Sequence, residues 1–177
     1  GIHLDGYADT SDALSSYGDR EKKLEILKDP HCGAFAVIRL CTYFLAYFCV
    51  AFCIRFSPRV GLCWTLALVL ERGLSGLAVA AFPMAKNTGL AHTFATAADR
   101  ESVKKILIVL SVLLAAALIA LGGGALVAAA LLVLWRYHHV AVKEFGGITG
   151  DLAGWFLQKA EFWMLAALAA SQWGGIL

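Results

Sequence analysis

Long apolar stretches separated by short polar segments dominate this chain. Five of them approach the roughly 20 residues that a helix needs to cross a bilayer, and they cover residues 33–54, 60–82, 105–121, 125–142 and 152–173. Three consecutive glycines at 122–124 separate the third stretch from the fourth and predict a tight hairpin, because glycine does not resist a turn. The pattern therefore predicts an all-α, polytopic membrane protein with about five transmembrane helices.

Composition supports that class and excludes several others. Of the 177 residues, 60% are hydrophobic and only 16% are charged, against about 25% charged in a typical soluble domain. The mean hydropathy is +0.72. A globule of this size cannot bury so much apolar surface, which excludes an ordinary soluble domain, a disordered chain and a nucleic-acid binder with a basic face. We expect a lipid bilayer as partner and a single membrane domain over residues 1–177.

The basic residues predict the orientation of the spans. If five spans alternate sides, residues 1–32, 83–104 and 143–151 lie on one side of the membrane. That side carries Arg20, Lys22, Lys23, Lys28, Lys86, Arg100 and Lys104, whereas the other side has only Arg55 and Arg59. Positive loops stay in the cytoplasm. We therefore expect a cell inner-membrane protein whose N-terminal segment faces the cytoplasm.

The beginning of the chain suggests that sequence is missing upstream. The first residues are polar and acidic, without the features of a signal peptide. There is no initiator methionine, and the chain opens inside a motif. We expect a fragment or a processed chain.

Three aspartates in the first segment form the clearest candidate site. Asp5, Asp9 and Asp12 are spaced i, i+4, i+7, so a helix places them within about 60° of one face. Such carboxylates repel one another unless a cation lies among them. Oxygen ligands at this density suit a hard divalent ion, Mg²⁺ or Mn²⁺. The alternative is a solvated acidic face on a cytoplasmic helix.

A second acidic feature lies at the start of the last predicted span. Residues 146–154 read GGITGDLAG, with Asp151 inside a glycine-rich segment. Glycines such as Gly147 and Gly150 let backbone N–H groups approach phosphate oxygens, and a helix N-terminus adds positive potential. Together with the first cluster, this segment would make a metal and phosphate site. The alternative is that Asp151 only caps the helix.

At these residues the chain resembles the cobalamin synthase family, also called adenosylcobinamide-GDP ribazoletransferases. Residues 3–12 read HLDGYADTSD and resemble the acidic signature of that family. The segments LKDPHCGAF at 27–35, FPMAKNTGL at 82–90 and GGITGD at 146–151 resemble further family motifs in the same order, and Glu161 matches a downstream acidic position. The resemblance covers nearly the whole chain, and the family has membrane-spanning sequence upstream of the acidic motif.

The resemblance implies a membrane enzyme late in cobalamin synthesis. Such an enzyme joins adenosylcobinamide-GDP to α-ribazole or α-ribazole 5′-phosphate, releases GMP and uses Mg²⁺ as cofactor. Four residues would hold the metal, namely Asp5, Asp9, Asp12 and Asp151. Of these, Asp9 or Asp12 would take the proton of the attacking hydroxyl. The candidates for contacting the phosphates are Lys28, Arg72, Lys86, Gly147 and Gly150.

Two other functions are open at this stage. The acidic motif is similar to that of the CDP-alcohol phosphotransferases, although their signature carries Arg where this chain has Asp9. A non-catalytic cation transporter would place its carboxylates within a span, whereas residues 1–30 are polar. Arg72, deep in the second predicted span, is equally well explained by a structural ion pair. The sequence also leaves open whether the protein forms a homo-oligomer.

Overall fold

The computed structural model describes residues 1–85 and 99–177, and these form seven α-helices joined by short connections. The helices are α1 (Ile2–Ser15), α2 (Arg20–Ile26), α3 (Ala34–Phe52), α4 (Pro58–Ala81), α5 (Arg100–Ala120), α6 (Gly124–Val140) and α7 (Gly150–Trp173). A π-helical turn, Ala141–Phe145, extends α6. The all-α class is confirmed, and each long helix begins and ends within a few residues of its predicted span.

Local sequence signals explain where several helices begin. The side chain of Asp19 accepts a hydrogen bond from the Lys22 backbone N–H, and that of Ser57 accepts one from Val60. These side-chain caps satisfy N–H groups that lack a partner within the helix. Between α5 and α6, Gly122 has φ of 87°, a conformation that side chains rarely tolerate. The predicted glycine hairpin is therefore present.

Four helical segments within the described residues are long and apolar enough to cross a membrane. They are Ala34–Phe52, Pro58–Ala81, Arg100–Ala120 and Gly124–Phe145. Large side chains such as Phe44, Leu45 and Leu113 are exposed on them, as lipid-facing residues are. The fifth predicted span forms a helix, α7, but is not among the four. It carries Asp151, Lys159 and Glu161, and many of its residues are buried by other helices.

Helix α7 is the centre of the packing. It contacts α1, α3, α4 and α6, while α5 packs mainly on α4. The core along α7 includes Trp155, Phe156 and Met164, and Phe156 stacks on Tyr137 of α6 with ring centroids 5.1 Å apart. Aromatic pairs of this kind add to the area they bury. The short acidic helix α1 is held against this core on one side.

Two glycines allow α1 and α7 to cross closely. A Cβ atom on Gly6 would lie 2.7 Å from the carbonyl oxygen of Asp151, and one on Gly154 would lie 2.9 Å from that of His3. Side chains at either position would push the helices apart. Small residues at such crossings are typical of membrane helices, because they let backbones approach.

The glycine-rich segment before α7 forms backbone hydrogen bonds with the residues that follow α4. Ile148 donates its backbone N–H to Pro83 at 2.8 Å and accepts one from Ala85 at 3.0 Å. Gly146 ends the π-helical turn with φ of 79°, and a Cβ atom on Gly147 would lie 2.5 Å from the Ala85 nitrogen. Residues 83–85, the described part of the 82–90 motif that makes these contacts, therefore meet the 146–151 motif through their backbones.

The glycine crossing can be tested with two matched substitutions. We expect Gly154→Ala to lower the free energy of unfolding by about 1–3 kcal/mol, the usual cost of overpacking. Gly150→Ala should leave stability nearly unchanged, because a Cβ atom there meets nothing within 4 Å. Thermal unfolding in detergent compares the two. Equal melting temperatures would show that the crossing tolerates a side chain.

Candidate functional site

The acidic helix α1 presents its aspartates on one face and buries the other. Asp5 is exposed, and Asp9 and Asp12 are partly buried. Residues Tyr7, Ala13 and the glycine at position 6 face the core. The predicted i, i+4, i+7 stripe therefore exists as a continuous carboxylate face.

Asp151 lies at the place where α7 meets that helix. Thr149, not Asp151, is the N-cap of α7, and its hydroxyl accepts a hydrogen bond from the Leu152 N–H at 3.2 Å. Asp151 follows two residues later, in the first turn, and its backbone packs against Gly6. The capping interpretation of Asp151 is thus wrong. Its carboxylate is held at a helix N-terminus, where the helix dipole favours negative charge.

The four aspartates are close enough to interact electrostatically. The pKa of Asp9 is raised from its ordinary value of 3.8 to about 6. Burial is the largest cause, and the charges of Asp5, Asp151 and Asp12 contribute the rest. Each neighbouring carboxylate disfavours a charge on Asp9. The backbone of Asp151 lies against Gly6 of α1, so Asp151 is near the stripe, and its role as a metal ligand stays a prediction.

Asp12 has an additional structural role that the sequence did not suggest. Its Oδ1 accepts a hydrogen bond from the Ala36 N–H at 3.2 Å. The N-cap residue of α3, Gly33, has no side chain to offer, and a Cβ atom there would collide with the Asp12 carboxylate. Asp12 thus caps α3 from another helix, and one of its two oxygens is engaged by this bond.

A cleft of about 460 Å³ opens beside the carboxylate face. Asp5 and Asp9 line it on one side, and the turn after α2 lines it on the other with Asp29, Pro30 and His31. Asp29 accepts a hydrogen bond from the His31 backbone N–H at 2.9 Å and pairs with its Nδ1 at 2.7 Å. Both hydrogen bonds lower the pKa of the Asp29 carboxyl, and the one from the His31 backbone has the larger effect. Sequence reasoning missed this residue, although it directly precedes Pro30 in a recognised motif.

The residues predicted to contact phosphate lie in different surroundings in the structure. Lys28 is exposed just before that turn, and Gly150 opens α7 next to Asp151. Gly147 is instead occupied with the backbone of residues 83–85. Lys86 lies outside the described residues.

Arg72 is held by neighbours of its own helix. Its guanidinium contacts the buried carboxylate of Glu71 and donates to the Leu68 carbonyl at 3.3 Å. The positive charge of Arg72 also acts on His3 of α1. The pKa of His3 is lowered mainly by burial and next by this charge. A structural ion pair therefore accounts for part of the placement of Arg72. Nearby, Tyr47 donates a hydrogen bond to Glu161 at 2.9 Å.

The carboxylates do not converge on one point. Within residues 1–85 and 99–177, no group of three or more His, Cys, Asp or Glu side chains is arranged so that it could hold a metal ion. The aspartates share one face and one field, but their side chains are spread along it. The arrangement supplies hard oxygen donors beside an open cleft.

The shift at Asp9 predicts a pH-dependent stability in metal-free buffer. Because the folded state raises the pKa of Asp9 above its unfolded value, stability is greatest below about pH 4 and falls as pH rises through 6. Asp9→Asn removes this loss, so we expect it to gain about 1 kcal/mol at pH 7.5, after allowing for solvent screening, and nothing near pH 4. Melting curves in EDTA at both values measure it. The exposed Glu21→Gln is the control, and an equal gain there would contradict the explanation.

The capping role of Asp12 predicts a difference between two substitutions. Asp12→Asn keeps an oxygen acceptor for the Ala36 N–H and should cost only a few tenths of a kcal/mol, whereas Asp12→Ala should cost about 1 kcal/mol. Chemical unfolding in detergent compares them. If both variants are equally stable, the hydrogen bond to α3 does not contribute.

Comparison with known proteins agrees with these features. A profile of the family described as cobalamin-5-phosphate synthase matches residues 1–169. A protein of Lachnoclostridium phytofermentans named adenosylcobinamide-GDP ribazoletransferase is 42% identical over 96% of this chain and 64% of its own length. One of the same name from Pseudomonas syringae pv. tomato is 33% identical over 96% of this chain and 69% of its own length. No solved structure matches.

The chain spans about two thirds of the length of these curated relatives. The family match nevertheless includes the carboxylate face of α1, the turn after α2 and the glycine-rich segment before α7. By this match, the chain belongs to the cobalamin-5-phosphate synthase family.

Proposed function

We propose that the protein is a membrane transferase that joins adenosylcobinamide-GDP to α-ribazole or its 5′-phosphate and releases GMP. The observation that supports this proposal is the packing of Asp151 against α1, whose carboxylate face borders an open cleft. The names of the relatives, adenosylcobinamide-GDP ribazoletransferase, supply the substrate class. The product belongs to the last steps of cobalamin synthesis.

The chemistry is a transfer between phosphate esters. A ribose hydroxyl oxygen of the acceptor forms a bond to the cobinamide-side phosphorus of the diphosphate. The bond from that phosphorus to the bridging oxygen breaks, and GMP leaves with the electron pair. The hydroxyl proton goes to a carboxylate. Such reactions depend on positioning and on neutralising charge more than on covalent catalysis.

Asp9 is the carboxylate that we assign to the proton transfer. It lines the cleft, whereas Asp12, the other candidate, already accepts a hydrogen bond from the Ala36 N–H. A general base must reach the proton that it removes, and a residue on the cleft wall meets that condition. Asp12 then acts mainly by holding the N-terminus of α3 against α1.

Mg²⁺ is the cofactor that we assign to these carboxylates, because oxygen donors are the ligands that it prefers. Asp5, Asp9, Asp12 and Asp151 would hold it, since carboxylates are its preferred protein ligands and their mutual repulsion at Asp9 is relieved by a cation. Their side chains must draw together to do so. The bound ion would neutralise charge on the diphosphate and on the departing GMP.

The remaining groups would position the diphosphate. Lys28 stands at the edge of the cleft turn, and the N–H groups at Gly150 begin a helix whose positive end faces the acidic cluster. Lys86 and Arg72 are further phosphate contacts in this proposal, and Gly147 shapes the segment that precedes α7. The basic residues on the α1 side favour a cytoplasmic active-site face in the cell inner membrane.

A release assay tests the function directly. Membranes containing the chain, adenosylcobinamide-GDP and Mg²⁺ should release GMP only when α-ribazole or its 5′-phosphate is added. Asp9→Asn should lower that rate by at least 100-fold, the usual contribution of a general base, and EDTA should abolish it. Exposed Glu101→Gln is the matched control. Chromatography of GMP gives the readout.

Two results would contradict the proposal. Near-normal turnover by a folded Asp9→Asn protein would remove the assigned residue from the chemistry. Release of CMP from a CDP-alcohol, without GMP from adenosylcobinamide-GDP, would assign the site to lipid phosphotransfer instead.

A further inference from the structure

A second concave surface lies on the side of α1 opposite its aspartates. Two adjoining cavities of about 470 Å³ each share Arg136, Trp155 and Lys159 in their walls. One is bounded by α1, α2 and α3, and the other continues along α6 and α7. We call the two together the lateral groove. Neither cavity includes any of the four aspartates.

The cavity of the lateral groove that is bounded by α1, α2 and α3, which we call its upper half, is cationic. Arg39, Arg136 and Lys159 line it, and within residues 1–85 and 99–177 none of the three forms an ion pair with a carboxylate. Its other lysine, Lys23, pairs with Glu144 at 2.5 Å. Glu144, the carboxylate in this wall, is therefore engaged by Lys23, and the three cations without an ion pair favour an anion.

Lys159 is the cation placed deepest in the groove. It is only partly exposed, and its Nζ lies 5.6 Å from the ring centroid of Tyr7 and 6.0 Å from that of Trp155. The charges of Arg39 and Arg136 act on it directly. Aromatic faces stabilise an ammonium group, but they leave its N–H donors available to a ligand.

The cavity along α6 and α7, which we call the lower half of the lateral groove, is lined mainly by apolar side chains. Ala129, Leu132 and Val133 of α6 form one wall, and Trp163 of α7 forms the other. Leu132 is 66% exposed and Trp163 is 52% exposed. This part of α6 lies within a candidate membrane span, so the apolar half faces the region that lipid chains would occupy.

We propose that the lateral groove binds one anionic phospholipid. The phosphate of the headgroup lies against Arg39, Arg136 and Lys159, and an acyl chain runs along α6 and Trp163. The combination argues for a lipid over a free phosphate, because a small anion would leave the adjoining apolar half exposed. Basic pockets between membrane helices bind anionic headgroups in the same way.

Native mass spectrometry of the detergent-solubilised chain provides the test. The chain should retain phosphatidylglycerol more strongly than phosphatidylcholine of the same acyl composition. Arg136→Gln should weaken the retention of phosphatidylglycerol about fivefold, the contribution expected for one basic residue near anionic lipid. Arg55→Gln removes the same charge outside the groove and should change nothing.

Three outcomes would overturn the lipid site. They are equal retention of the two lipids, equal loss in Arg136→Gln and Arg55→Gln, and displacement of the lipid by millimolar inorganic phosphate. A dimer that carries no lipid would also overturn it, since a second copy would then fill the groove.

A measurement on the unmodified chain guards against a variant that fails to fold. Trp155 and Trp163 line the groove, so their fluorescence reports on occupancy. In mixed micelles, phosphatidylglycerol brominated on its acyl chains should quench tryptophan fluorescence more than brominated phosphatidylcholine at the same mole fraction. Identical quenching curves would overturn the preference for an anionic lipid without any substitution.

Discussion

The close crossing of α1 and α7 is the contact on which the candidate site depends. Gly6 and Gly154 bring the two backbones together, and the backbone of Asp151 lies directly against Gly6. Without that approach, Asp151 would stand apart from the carboxylate face of α1. The stability of the crossing comes from packing of small residues, which must outweigh the cost of burying Asp9 near the charges of Asp5, Asp151 and Asp12; together these raise its pKa to about 6.

The apolar pattern was sufficient to locate the helices. All five predicted spans correspond to helices, because runs of apolar residues bounded by Gly, Pro and Ser have few alternatives in a bilayer. The role of α7 was harder to predict. The sequence predicted it as a span, but it is not among the described helices that are apolar enough to cross a membrane, it carries Lys159 and Glu161, and many of its residues are buried by other helices. Hydropathy measures composition and carries no information about which neighbours cover a helix.

The sequence predicted which charged residues share a helix face at the candidate site, but it did not predict the contacts that they make. The spacing of Asp5, Asp9 and Asp12 fixed a shared face, since helical geometry is local. The hydrogen bond from the Ala36 N–H to Asp12 joins residues 24 apart in the chain, and no local rule anticipates it. The same holds for the pairing of Ile148 with Pro83. Such contacts follow from how the helices pack, which a single sequence does not specify.

Charge on the two sides of α1 is separated rather than paired. Asp5 and Asp9 face one cleft, while Arg39, Arg136 and Lys159 face the lateral groove on the other side. If these groups met, the cations would neutralise the carboxylates. A helix only about 10 Å across keeps them apart, because its buried core-facing residues fix its rotation. The rotation of α1 thus decides that its carboxylates point away from the cationic residues of the lateral groove.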